Sequence, residues 1–193
     1  MKLFIAVNFD KETKQRIEEV KEKLKNEASG GKFSLQENFH LTLVFLGETA
    51  EERLPEINDA MEQAVYPEGS RFHSFDLSFS NVHFFKRSGK ELWYLGIEEK
   101  NHAGEKLLKE LQSRIASELR SRNFLIDKRP YNAHITLGRE IKNGPWPFKT
   151  ESITIKVSRI SLMLSEQVRR PDRKNTLVYT ELSGYNLARE NII

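Results

Sequence analysis

With 193 residues and no cysteine, the chain has length for one compact domain or two tightly packed lobes, and it excludes disulfides, thiolate metal sites and a cysteine nucleophile. Its 31 basic and 28 acidic residues leave a net charge of +3, too even a balance to announce a nucleic-acid binder by itself. The opening apolar run, Leu3 to Val7, is only five residues long, short of a signal peptide's ~7–15 or a membrane span's ~20, so a soluble cytoplasmic protein with no membrane attachment is expected.

KLFIAVNF, residues 2–9, reads as a strand, followed by a helix that Asp10 caps, with Ile17, Val20 and Leu24 as its apolar stripe and Gly30-Gly31 as its stop. A short extended piece around KFSL leads to NFHLTLVFLG at 38–47, whose apolar residues belong in a buried strand. Residues 51–65 fit a second helix buried along Leu54, Ile57, Met61 and Val65, with Pro55 tolerable only in its first turn. FDLSFSNVHFF, 75–85, alternates at Phe75, Leu77 and Phe79, then slips phase near Asn81, which predicts a bulge. KRSGK turns the chain into ELWYLGIE as a hairpin, and a third helix from His102 to Arg122 buries Leu108, Leu111, Ile115 and Leu119. YNAHITLGRE, a loop at 141–149 and strands at 152–157, 159–165 and 176–182 complete the pattern, with GYNLAREN as a tail. Hairpins and terminal strands make this α+β rather than a doubly wound parallel sheet, and no linker divides residues 1–193.

The strand at 38–47 carries an imidazole and a hydroxyl where apolar side chains dominate. Alternation puts His40, Thr42 and Val44 on one face and Leu41, Leu43 and Phe45 on the other. A lone histidine there is usually structural. The pattern recurs, however: HLTL at residue 40 is echoed by HITL at residue 134, a spacing of 134 − 40 = 94 residues. His134 and Thr136 again share a face, and within each copy the two polar side chains stand about 6–7 Å apart.

With KLFIAVNF, ENFHLTLVFLGE, NVHFFKRSGKELWYLGIE, AHITLGR and ISLMLSE…YTELSGYNL, the sequence resembles the 2H phosphoesterases along nearly its whole length. It is most similar to the RNA 2′,3′-cyclic phosphodiesterases once called 2′-5′ RNA ligases (LigT-like, ThpR). It departs from that family at Ala133, where proline is usual, at Lys32-Phe33, often Arg-Trp, and at Phe85, often proline. The resemblance implies a bilobal fold of two pseudo-twofold-related antiparallel sheets with flanking helices and an active-site cleft between them. It implies hydrolysis of RNA 2′,3′-cyclic phosphate ends to 2′-phosphates, with His40 as proton donor and His134 as proton acceptor, and weak reverse ligation. The near-symmetry of the copies leaves the two histidine roles interchangeable on the residues alone.

Two imidazoles across a phosphate suit in-line displacement, since imidazole titrates near pH 6.5 and one must start protonated. Thr42 and Thr136 can donate to the non-bridging oxygens. No cofactor is needed, and without HExxH or a matching carboxylate spacing no metal is expected. Arg139, Lys32 and Phe84 are candidate substrate contacts, with Phe33 and Trp146 as further aromatics against which a base could stack. His73, His83 and His102 lack a threonine partner and read as structural or surface residues. SGGKF at 29–33 is no phosphate loop, because Phe33 stands where a hydroxyl is required. The basic clusters Arg114–Arg129 and Arg169, Arg170, Arg173 and Lys174 read as solvated surfaces, the second also as possible phosphate contacts. A monomer is expected. Alternative readings are a phosphodiesterase for small cyclic-phosphate nucleotides or 2′-5′ oligonucleotides, and a noncatalytic RNA-end binder.

Overall fold

Strand β1 (Lys2–Asn8) is buried on both faces along Leu3 to Val7, as an unbroken apolar run requires when both sides of a sheet are covered. It leads into helix α1 (Lys11–Glu27), where the Asp10 carboxylate accepts from the Thr13 N–H at 2.7 Å. The computed structural model describes residues 1–67, 71–169 and 176–188. Onward in the chain come β2 (Gly30–Phe33), β3 (His40–Glu48), α2 (Leu54–Val65), β4 (Phe75–Arg87), β5 (Lys90–Ile97) and α3 (His102–Ser121). Strands β6 (His134–Lys142), β7 (Phe148–Val157), β8 (Arg159–Val168) and β9 (Thr176–Asn186) follow.

The strands form two antiparallel sheets, a four-stranded one in the order β3-β1-β8-β9 and a five-stranded one in the order β2-β6-β5-β4-β7. The architecture is α+β. Each sheet contains the same unit: a strand, a helix, and a motif strand returning antiparallel beside the first. In one sheet the unit is β1–α1–β3, in the other β5–α3–β6.

Helices α1 and α3 both reach beyond their own sheets. Helix α1 packs on β2 and β7 of the five-stranded sheet, and Arg16 Nη2 donates to the Ser152 carbonyl in β7 at 2.8 Å. Helix α3 reaches α2 and the motif strand β3 as well as β4. One continuous cluster of buried side chains joins both sheets and all three α-helices, from Leu3 and Ile5 through Ile17, Ile57 and Leu111 to Ile135 and Val157.

Several boundaries differ from those expected. Helix α1 ends at Glu27, so Gly30-Gly31 does not stop it; the pair opens β2 instead. Gly31 has φ +152°, and any Cβ there would strike the Ile141 side chain of the neighbouring strand. The bulge near Asn81 is present: both β4–β5 and β4–β7 shift register between Phe79 and Asn81. Ser88 and Gly89, with φ of +50° and +74°, make the hairpin turn. Phe45, expected on the buried face, is 54% exposed. The segment from Gly184 to Leu187 is no tail: β9 runs to Asn186 and Leu187 is buried.

Candidate active site

The exposure of Phe45 has a local cause that also shapes the site. Between β1 and β3, Ala6 stands opposite Thr42 and Ile5 opposite Val44, which leaves Leu43 as an extra residue. Between β5 and β6, Tyr94 faces Thr136 and Trp93 faces Gly138, leaving Leu137 over in the same way. Each motif threonine is thus followed by a β-bulge, and past a bulge the alternation of faces is reset. Leu43 and Val44 are both buried, as are Leu137 and Gly138, and the next side chain in each strand, Phe45 or Arg139, turns outward. Strict alternation would have sent Arg139 toward the core with Ile135 and Leu137.

The two histidines are held alike. His40 Nδ1 lies 2.7 Å from the Asn38 carbonyl and His134 Nδ1 lies 2.8 Å from the Asn132 carbonyl. A carbonyl only accepts, so in each ring Nδ1 carries the hydrogen and Nε2 keeps the lone pair when the ring is neutral. The Thr42 hydroxyl, 3.0 Å from His40 Nε2, then donates to it. The repeat is therefore longer than His-aliphatic-Thr-Leu. Asn38 and Asn132 extend it to Asn-x-His-aliphatic-Thr-Leu, a longer repeat that the sequence itself carries.

The surroundings are less alike. His40 is wedged between Phe4 and Tyr179, with ring centroids 4.8 and 5.1 Å away. His134 has Tyr94 at 5.5 Å and Phe85 at 5.6 Å, both edge-on. Burial pulls His40 down to about 4, against the opposing hydrogen bond to Asn38; the charges of Lys14, Arg139 and His134 push the same way as burial. Burial also lowers His134, again with Arg139 contributing. Tyr179, whose phenol burial raises, feels Arg139 too. The Arg139 charge thus acts on both imidazoles at once.

The backbone of each motif is braced by a side-chain hydroxyl. Strand β3 is an edge strand, and the Thr42 carbonyl accepts from the Tyr131 hydroxyl at 2.9 Å. Tyr131 belongs to the segment entering β6, so this bond joins the two motif strands directly. In β6 the Thr136 carbonyl accepts from the Ser34 hydroxyl at 2.8 Å, and the Leu137 carbonyl from the Ser34 N–H at 2.9 Å. Both threonines are anchored through their own main chain.

The other candidates fall in different places. Arg139 joins the histidines, and among the described residues no carboxylate lies within ion-pairing distance of it. Lys32 stands opposite Arg139 in the β2–β6 register, and its ammonium pairs with Glu140 at 3.1 Å, which Lys90 shares at 3.2 Å. Phe84 packs 5.0 Å from the buried Trp93 and against the core, whereas its neighbour Phe85, on the opposite face, lies against His134. Phe33 is half-buried against the core, and Trp146 is 89% exposed.

In the first basic cluster Arg114, Arg122 and Arg129 are paired with Glu110, with Asp59 and Glu118, and with Asp127. Arg120 donates to the Asp127 carbonyl. In the second cluster Arg169 is exposed, and Arg170, Arg173 and Lys174 lie outside the described residues. Among the described residues no group of three or more His, Asp or Glu side chains is placed to hold a metal ion, and no helix is long and apolar enough to cross a membrane.

Sequence reasoning passed over Phe4, Ser34, Phe85, Tyr131 and Tyr179. Phe4 left a trace as part of an unbroken apolar strand, and Phe85 as a departure from the family pattern, but neither was assigned to the site.

A family model described as the 2′-5′ RNA ligase superfamily matches residues 9–169. An RNA 2′,3′-cyclic phosphodiesterase of Archaeoglobus fulgidus is 32% identical over 146 residues, 75% of this chain and 76% of that protein. One from Thermotoga maritima is 31% identical over 140 residues, 72% and 70% of the two chains. A crystal structure of Escherichia coli LigT complexed with 3′-AMP superposes with a TM-score of 0.75 at 24% identity, covering 96% of this chain and 97% of that one. A crystal structure described as a phosphoesterase reaches 0.77 at 23% identity, with the same coverage. These two structures share the fold.

Proposed function

The chain belongs to the 2′-5′ RNA ligase superfamily, and on that premise we propose that it hydrolyses RNA 2′,3′-cyclic phosphate ends to 2′-phosphates, without a metal, through His40 and His134. The observation that carries this reading is the pair of identical tautomers. Each Nδ1 is committed to a backbone carbonyl, and each Nε2 is left for proton transfer.

In this mechanism His134 Nε2 takes a proton from water as the water oxygen bonds to phosphorus. The bond from phosphorus to the ribose 3′ oxygen breaks, and His40 Nε2–H gives its proton to that oxygen. The product is a 2′-phosphate with a free 3′ hydroxyl. The same path, with the same two roles and the 5′ hydroxyl of a second RNA end in place of water, gives weak 2′-5′ joining.

This division of roles is the one that the family resemblance implies. Burial lowers His40 to about 4, so as the donor it gains its proton together with the substrate. A phosphate anion bound near Arg139 restores its hold on the proton. Protonation at Nε2 also ends the bond that Thr42 donates there, which frees that hydroxyl for a phosphate oxygen; Thr136 supplies the matching donor. Both half-sites come from one chain, so a monomer suffices.

The test is incubation with a nucleoside 2′,3′-cyclic phosphate and a short RNA bearing the same end, in EDTA, with chromatography of the products. The 2′-phosphate is expected. No turnover of either substrate would falsify the function, a 3′-phosphate would reverse the leaving group, and activity lost in EDTA but restored by metal would overturn the metal-free path.

A further inference from the structure

A cavity of about 560 Å³ lies on the five-stranded sheet, with Asn132 and Ala133, the two residues before His134, at its inner end. Strand register shows where it leads. His134 stands opposite Gly96, Gly96 opposite Asn81, and Asn81 opposite Lys149 on β7. A parallel row runs from Thr136 to Tyr94 to His83. Side chains directly opposite one another share a face, so both rows begin at the second motif and cross the sheet. Three strand spacings separate β6 from β7, about 14 Å in all.

The groove floor is low because residue 96 is glycine; a Cβ there would stand 3.3 Å from the Tyr94 ring and 3.4 Å from the Asn81 carbonyl. The Tyr94 ring and the His83 imidazole offer flat surfaces along it. At its far end the Lys149 ammonium is 3.5 Å from Glu99, both side chains more than two-thirds exposed, a pairing weak enough to yield to a phosphate. Between the ends lie Glu98 and Glu105, which repel a phosphate at that point but accept hydrogen bonds from ribose hydroxyls and base amines.

The sequence along the groove is therefore reacting phosphate, aromatic and acceptor surface, then cation. Single-stranded nucleic acid is held by stacking surfaces beside charges that track its backbone. Phosphates of one strand are about 3.4 Å apart along a stacked helix axis and farther apart when stretched, so the groove has room for the terminal nucleoside and at least one nucleotide before it. We propose that this groove is a subsite for the nucleotides on the 5′ side of the cyclic phosphate, with Lys149 binding an upstream backbone phosphate. The preferred substrate is then the 3′ end of an RNA chain rather than a free nucleoside cyclic phosphate. This rests on the function proposed above.

The test compares kcat/KM for uridine 2′,3′-cyclic phosphate with that for a trinucleotide ending in the same residue, in the wild type and in Lys149→Glu. The wild type is expected to favour the trinucleotide by about tenfold or more, chiefly through KM, as the Lys149–phosphate contact and one stacked base together would supply. That ratio is expected to collapse in Lys149→Glu and to fall more steeply with salt in the wild type than in the variant. A ratio near one in the wild type, or an unchanged ratio in Lys149→Glu, overturns the subsite while leaving the cyclic phosphodiesterase reading intact. Absence of turnover with both substrates overturns the function and the subsite with it.

Discussion

The first motif is closed and the second is open, although both are cut from one six-residue pattern. His40 sits between two aromatic rings with its Nε2 already occupied by Thr42, and the Asn38 side chain is tied to the Leu177 carbonyl of β9 at 2.8 Å. His134 has aromatic rings beside it too, but among the described residues no hydrogen bond joins it to Thr136, and a groove begins next to it. Five residues after the histidine the outward position is Phe45 in one half, under Lys2, and Arg139 in the other. The shared pattern sets tautomer and bulge. The neighbours, supplied by unrelated parts of the chain, set basicity and access, and so place two like residues in different environments.

The largest expected effect tests whether the halves act as one unit. His40→Ala and His134→Ala should each lower kcat by about 10²–10⁴, and the double variant should be little worse than the poorer single one. Additive losses in steady-state kinetics would mean that the two act in separate steps. Next come the threonines. Thr42→Val and Thr136→Val each remove a donor to the phosphate and should cost up to about 10²-fold in kcat. Only Thr42→Val should also move the limb of the kcat/KM profile that belongs to His40. Loss of the hydroxyl removes support from neutral His40, so that limb moves to higher pH; equal shifts in both variants would erase the distinction between closed and open halves.

A third effect concerns stability. His40 has a folded value of about 4 against 6.5 when exposed, so between those values the unfolded chain binds more protons. Stability is then complete above pH 6.5 and falls as the pH drops toward 4, by up to about 3 kcal/mol from this residue. Denaturant melts at pH 7 and pH 4 should show that loss in the wild type and a smaller one in His40→Ala; equal losses would contradict the burial of His40. The smallest effect is that of Tyr131→Phe, which removes the hydroxyl bridge between the motifs. About 1 kcal/mol of stability and less than tenfold in kcat are expected, with KM for the mononucleotide little changed. A rise in KM without a fall in kcat would show that Tyr131 serves binding rather than spacing.

Much of this was legible from the residues. The stripes of α1 and α3, the Asp10 cap, the slip at Asn81 and the paired histidines and threonines all follow local periodicities that the fold obeys. What escaped was of two kinds. A period of two holds only along a regular ladder, so the bulges at Leu43 and Leu137 hid both the exposure of Phe45 and the outward turn of Arg139. The choice between Phe84 and Phe85 turned on which face of β4 meets His134, and the bridge from Tyr131 to Thr42 spans 89 residues. Neither has a local signature, because the first depends on which face of one sheet carries the histidine and the second on how two sheets meet.

The crossing of α1 onto β2 and β7 has one more consequence. The helix between β1 and β3 covers the other sheet, and α3 touches strands of both, as if two hands were clasped rather than laid side by side. Pulling the histidines apart would therefore break into the one core that joins the sheets. The width of the catalytic gap is fixed when the chain folds, and warming the protein should extinguish turnover and tertiary structure in a single step.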